Sequence, residues 1–173
     1  ARLAPARLRR GGGVSVHPDY QQFLDRKRIV DPMTGLNAFP PLPDAMFHFQ
    51  RDITSWSLRR GRSALFAGTG LGKTIMELVW GNTIADNTGG MIMLLAPLAV
   101  SQQIIREAAK FGIPARLVSC QADCGPGINV TNYQKIGHFD LAKFVAVILD
   151  ESSILKSTDG HYRTRLIEEC AQV

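Results

Sequence analysis

Ala67-Gly68-Thr69-Gly70-Leu71-Gly72-Lys73-Thr74 lies between an apolar stretch, Ser63 to Ala67, and a run with helical spacing that begins at Lys73. Three glycines in so short a segment let the backbone fold tightly, so that successive amide N–H groups from Gly68 through Lys73, those of Thr69 and Leu71 included, converge on one point. The first turn of a helix adds partial positive charge at the same point. Converging donors between a strand and a helix are the setting in which a G-x-x-x-x-G-K-[ST] loop holds a nucleoside triphosphate. Lys73 is then expected to reach the β and γ phosphates, and the Thr74 hydroxyl to ligate Mg²⁺. Ala67 stands where the strict pattern has glycine, and a single methyl group at a strand end costs little. The competing reading, a glycine-rich turn with an incidental Lys-Thr, does not account for the strand before it and the helix after it.

A phosphate loop alone binds nucleotide without defining hydrolysis. Val145 to Leu149 is a continuous apolar run that ends in Asp150-Glu151. Acids at the carboxyl end of a buried parallel strand lie where open α/β sheets bind ligands. Asp150 is placed to hold Mg²⁺ through its water shell. Glu151 is placed to orient or deprotonate an attacking water. An acid pair that merely caps a helix is the alternative. Loop and acids together indicate an ATPase with ATP and Mg²⁺ as cofactors.

Around these two motifs, strand-like and helix-like stretches alternate. Ser63 to Ala67, Met91 to Ala96, Ala115 to Ser119, Ile128 to Thr131 and Phe144 to Leu149 read as strands. Lys73 to about Ala85 and Val100 to Phe111 read as helices, the second with an apolar stripe of Ile104, Ile105, Ala108 and Phe111. Strands separated by crossover helices predict an α/β fold, a mostly parallel sheet with helices on both faces. An earlier helix is expected from an Asp44 N-cap to Gly61, with Phe47, Phe49, Ile53, Trp56 and Leu58 turned inward.

Three regions are expected. Residues 1–13, ARLAPARLRRGGG, cannot bury enough apolar surface to offset their ordering entropy and read as a disordered basic extension. The rival reading is a nucleic-acid-binding arm, but no aromatic residues are interleaved there. Residues 14–43 read as a short helix (Tyr20 to Ile29) followed by a proline-rich linker. Residues 44–173 form the nucleotide-binding lobe, which appears cut short after its acid pair.

Composition narrows the class further. The chain of 173 residues is 45% hydrophobic and 20% charged, which suits one soluble globular domain. No apolar run approaches the roughly 20 residues that span a bilayer. No apolar core follows the basic start, so no signal peptide is expected and a cytoplasmic location is. Cys120, Cys124 and Cys170 read as ordinary thiols, because no second Cys or His pair completes a zinc site. The net charge of +5 owes most to Arg2, Arg7, Arg9 and Arg10, and without them the chain is nearly neutral. Bulk charge is therefore no argument for a nucleic-acid partner.

Five segments in order carry a family resemblance: Phe49-Gln50, AGTGLGKT, Leu95-Ala96-Pro97-Leu98, Val130-Thr131-Asn132-Tyr133 and Leu149-Asp150-Glu151-Ser152-Ser153. Together they resemble the first RecA-like motor lobe of superfamily 2 helicases, of the Swi/Snf-like translocase type found in phage and prophage DEAD/DEAH-box-like proteins. The resemblance spans about Tyr20 to Arg165. It implies that Gln50 reads the adenine edge, with Phe47 or His48 packing on the base. It also implies that Pro97, Thr131 and Asn132 hold a nucleic-acid backbone, with DNA, as a duplex, the expected track and no membrane partner. The implied activity is DNA-dependent ATP hydrolysis that drives translocation by a monomer.

Two departures from that family matter. Ser152-Ser153 replaces the usual Ala-His or Ala-Asp, and the sequence runs only to Val173, without the next Ser/Thr-Ala/Gly-Thr motif or a second lobe with its arginines. The chain alone is therefore expected to bind ATP-Mg²⁺ and hydrolyse it poorly. A small-molecule P-loop kinase would need an arginine-rich lid, which this sequence does not show. A non-catalytic, nucleotide-dependent interaction module is the other alternative. Lys156, Arg163 and Arg165 read as a solvated face more readily than as phosphate contacts.

Overall fold

The computed structural model describes residues 33–151, with 164, 166 and 168–170, all within the compact unit Met33–Val173. The expectations for residues 1–13, for the Tyr20 to Ile29 helix and for Lys156, Arg163 and Arg165 lie outside the described residues. Helix α1 spans His48–Arg60, α2 Lys73–Thr88 and α3 Leu98–Lys110. Strands β1 Met91–Ala96, β2 Ala115–Leu117, β3 Gly127–Asn132 and β4 Ala146–Leu149 form one sheet in the order β2-β3-β1-β4. Every pairing in it is parallel.

The apolar run of β1 is continuous because both faces of the sheet are covered. Ile92, Leu94 and Ala96 face one cluster, with Ile75, Met76, Leu78 and Val79 of α2 and Ile104 and Ala108 of α3. Met93 and Leu95 face the other, with Tyr133, Ile136, Phe139, Leu141, Phe144 and Leu166. That second face is closed by 3-10 turns at Tyr133–His138 and Leu141–Lys143 together with helical Leu166. Burying each such large side chain contributes about 1.5–3 kcal/mol, which makes the sheet a rigid base for its carboxyl edge. Gly81 brings α2 onto that base: a Cβ there would meet Ile148 Cδ1 at 3.0 Å and Ile128 Cδ1 at 3.3 Å. Glycine within a helix costs up to about 1 kcal/mol, and at this position close approach to the sheet offsets it.

Two expectations are corrected. Ser63 to Ala67 is not a strand; it runs without a sheet partner, and Leu65 and Phe66 are 37% and 97% exposed. Side-chain pattern reports a tendency to be buried but not whether a neighbouring backbone is within reach, and among the described residues β4 pairs only with β1. The segment is instead tied at its ends, by Ser57 Oγ to Ser63 Oγ at 2.6 Å and by the Lys73 ammonium donating to the Ala67 carbonyl at 3.2 Å.

The inward face of α1 is also different. Gln50, Thr54, Ser57 and Leu58 are buried, whereas Phe47, Phe49 and Trp56 are exposed. Polar residues win that face because two of them have partners there: Ser57 bonds Ser63, and Gln50 bonds the glycine loop. The helix begins after Phe47 rather than Asp44, whose carboxylate accepts from Arg51 at 2.9 Å. Among the described residues no helix is long and apolar enough to cross a membrane.

Candidate functional site

The carboxyl edge of the sheet collects the end of β1 at Ala96, the end of β3 at Asn132 and the residue after β4, Asp150. The Asp150 amide continues the ladder by donating to the Leu95 carbonyl at 2.9 Å. Helix α2 begins beside this edge, and Gly72, in the left-handed region at φ 71°, turns the chain into it. No side chain caps α2, so its first-turn amides have no side-chain acceptor. Gly70 also takes positive φ, 81°, with open space where a Cβ would stand. Gly68 needs no left-handed geometry.

The Lys73 ammonium lies over the loop's own backbone, donating to the Ala67 carbonyl at 3.2 Å and the Gly68 carbonyl at 3.4 Å. It also lowers the pKa of Asp150, which places the two distant motifs within electrostatic reach of each other. The Asp150 carboxyl is nevertheless held above its ordinary range, first by burial and then by the like charge of Glu151. Glu151 itself takes φ 52°, the only positive φ outside glycine among the described residues.

Two residues that the sequence reading passed over belong to this site. Glu77, one helical turn after Lys73, has a buried Oε2 with no hydrogen-bond partner. Burial, and secondarily Asp150, push its pKa up to about 7, with Lys73 pulling the other way. Its four-residue spacing from Lys73 was a usable signal, since residues so spaced share a helix face. Tyr133 is buried and donates its hydroxyl to the Asp150 carbonyl at 2.7 Å. Burial, then Asp150, Glu77 and Glu151, raise its pKa and keep the hydroxyl protonated. No spacing rule links Tyr133 to Asp150.

Gln50 is 4% exposed and both ends of its amide are engaged. Oε1 accepts from the Phe47 amide at 2.9 Å, and Nε2 donates to the Leu71 carbonyl at 3.0 Å. It thus braces the glycine loop against α1. Phe47 stacks on Phe49 with centroids 6.0 Å apart and planes 11° from parallel, an exposed aromatic pair beside Gln50.

Two of the residues read as backbone contacts, Thr131 and Asn132, line a groove of about 400 Å³ with Leu98, Ser101, Gln102, Arg106 and Lys135. Pro97 is the N-cap of α3. The Thr131 hydroxyl is spent on the Val118 carbonyl at 3.0 Å, and Asn132 Oδ1 accepts from the Lys135 amide at 3.2 Å. These two side chains shape the groove; the cations that line it are Arg106 and Lys135.

The residues fit a magnesium nucleotide. The loop amides at the start of α2 suit an anion, and the acid pair that follows β4 suits a cation. Among the described residues no cluster of three or more His, Cys, Asp or Glu could hold a metal alone. Mg²⁺ takes one or two protein oxygens and otherwise water and phosphate. Thr74 and Asp150 are the residues that would hold it.

Four parallel strands, helices packed on them and a glycine loop at their carboxyl edge define an α/β domain with a RecA-like fold. Among solved structures the chain is similar to the UvsW helicase from Bacteriophage T4, with TM-score 0.61 at 14% identity. The match covers 89% of this chain and 56% of that one, so the chain spans little more than half the helicase's length. No family model matches the sequence, and no curated protein does.

Proposed function

We propose that this chain is the ATP-binding first motor lobe of a DNA-dependent helicase or translocase. The observation that carries the reading is the glycine loop that turns into α2 at Lys73 beside the carboxyl edge of the sheet, where Asp150 follows β4. In this reading the loop amides and Lys73 bind the triphosphate, while Thr74 and Asp150 hold Mg²⁺, which neutralises charge on the phosphates. Glu151 takes or orients the proton of the attacking water. In the same reading Gln50 and the Phe47–Phe49 pair take the base, and the amide must give up the Leu71 carbonyl to read adenine.

Support for a nucleic-acid track comes from the likeness to a helicase fold and from the cation-lined groove at the same sheet edge. The Arg106 guanidinium and the Lys135 ammonium that line it suit phosphates and carry no sequence readout. The test is ATP turnover by the full-length protein with and without duplex DNA. DNA is expected to stimulate turnover, and Glu151→Gln is expected to remove the stimulation and leave a small residual rate. Turnover that ignored nucleic acid and rose instead with a small phosphoryl acceptor would overturn the reading.

A further inference from the structure

Asp150 has both of its backbone polar groups pinned. Its N–H donates to the Leu95 carbonyl at 2.9 Å, as the last rung beside β1. Its C=O accepts from the Tyr133 hydroxyl at 2.7 Å. Tyr133 follows β3, and β1 lies between β3 and β4, so the bond ties together two elements that are not neighbours in the sheet. The ring is 7% exposed and packs with Leu95, Ile136, Phe139 and Phe144, which fixes where the hydroxyl can point.

The carbonyl of Asp150 and the amide of Glu151 belong to one rigid plane, so a bond that fixes one fixes the other. Beyond that plane Glu151 sits at φ 52°, a region that a residue with a Cβ avoids unless its surroundings impose it. Relaxation to negative φ would swing the Glu151 Cα–Cβ bond away from its present direction. The Tyr133 bond holds the carbonyl side of the peptide that enters this strained residue, while its N–H bonds the Asp150 carboxylate.

We propose that Tyr133 is a positioning residue for the reaction: its hydroxyl holds the Asp150–Glu151 peptide so that the Glu151 side chain meets the attacking water. The inference rests on the motor reading above, and deepens it by assigning a second residue to the acid turn. In this reading Tyr133 acts through the Asp150–Glu151 peptide, by its bond to the Asp150 carbonyl, so its loss affects turnover and leaves nucleotide binding intact.

The experiment compares the full-length wild-type protein with Tyr133→Phe, Glu151→Gln and the double variant. ATP affinity is measured by calorimetry, and hydrolysis in single turnover with Mg²⁺ and duplex DNA. Tyr133→Phe is expected to keep its ATP affinity and melting temperature while the hydrolysis rate falls about ten- to a hundredfold, the range for a misplaced reacting group. In the Glu151→Gln background the same substitution is expected to add no further loss, because it acts through Glu151. The Glu151 amide resonance should move in Tyr133→Phe while that of Lys73 stays. An unchanged rate, an equal further loss in the Glu151→Gln background, or a parallel fall in ATP affinity and melting temperature would each overturn the proposal. Wild-type protein without turnover on any nucleic acid would instead overturn the motor reading, and the role of Tyr133 with it.

Discussion

Glu77→Gln is expected to flatten the pH dependence of folding. Glu77 is ionised in the unfolded chain above its ordinary value of 4.5, but in the fold it keeps its proton up to about 7. Between those values the folded state binds the extra proton, so stability falls as pH rises from 4.5 to 7 and levels off above. At about 1.36 kcal/mol per unit, the gap amounts to roughly 3 kcal/mol. Glutamine has nearly the same shape and no charge to desolvate, and its amide cost is the same at every pH. Urea unfolding of both proteins at pH 5 and pH 8 reads the difference. The advantage of the variant over wild type is expected to grow by roughly 3 kcal/mol, or about 10 °C in melting temperature, from the acid to the alkaline condition. Parallel pH profiles would refute the reasoning and show that water or a cation reaches Glu77 in the folded chain.

Gln50→Glu keeps an acceptor for the Phe47 amide but turns an oxygen toward the Leu71 carbonyl, where the wild type donates. The loss should weaken binding of Mg²⁺-tripolyphosphate as well as ATP, by about tenfold or 1.4 kcal/mol. Unchanged tripolyphosphate binding by calorimetry, with weaker ATP binding, would confine Gln50 to the base. Gly72→Ala is expected to destabilise the loop more than Gly70→Ala. Both glycines have positive φ, costing about 1–2 kcal/mol for any other residue, but only at Gly72 would the Cβ press on Gln50 Nε2, at 2.5 Å. Equal melting temperatures for the two variants would contradict that ranking.

The parallel sheet was legible because β1, β3 and β4 are buried runs bounded by turns; the loop was read from a strand before it and a helix after it, and of these the structure shows the helix. The acid pair was legible from its place after an apolar strand. What sequence could not supply was partnership. Ser63 to Ala67 has a strand's composition and no strand beside it. The apolar residues of α1 suggested an inward face that the structure gives to Gln50, Thr54 and Ser57, because hydrogen bonds to Leu71 and Ser63 decide the helix's rotation. Thr131 and Asn132 were assigned outward roles from segment order, and their side chains are committed within the protein. Tyr133 depends on a distance between elements far apart in sequence, and the raised pKa of Glu77 on burial, neither of which a motif encodes.

Titrating Mg²⁺-ATP into the isotopically labelled chain, with amide shifts as the readout, tests the nucleotide site most directly. Residues 68–74 and the Asp150–Glu151 pair are predicted to shift together on one binding curve, and Lys73→Ala to abolish the response. Undiminished binding by Lys73→Ala, or shifts confined to other parts of the sheet, would contradict the site.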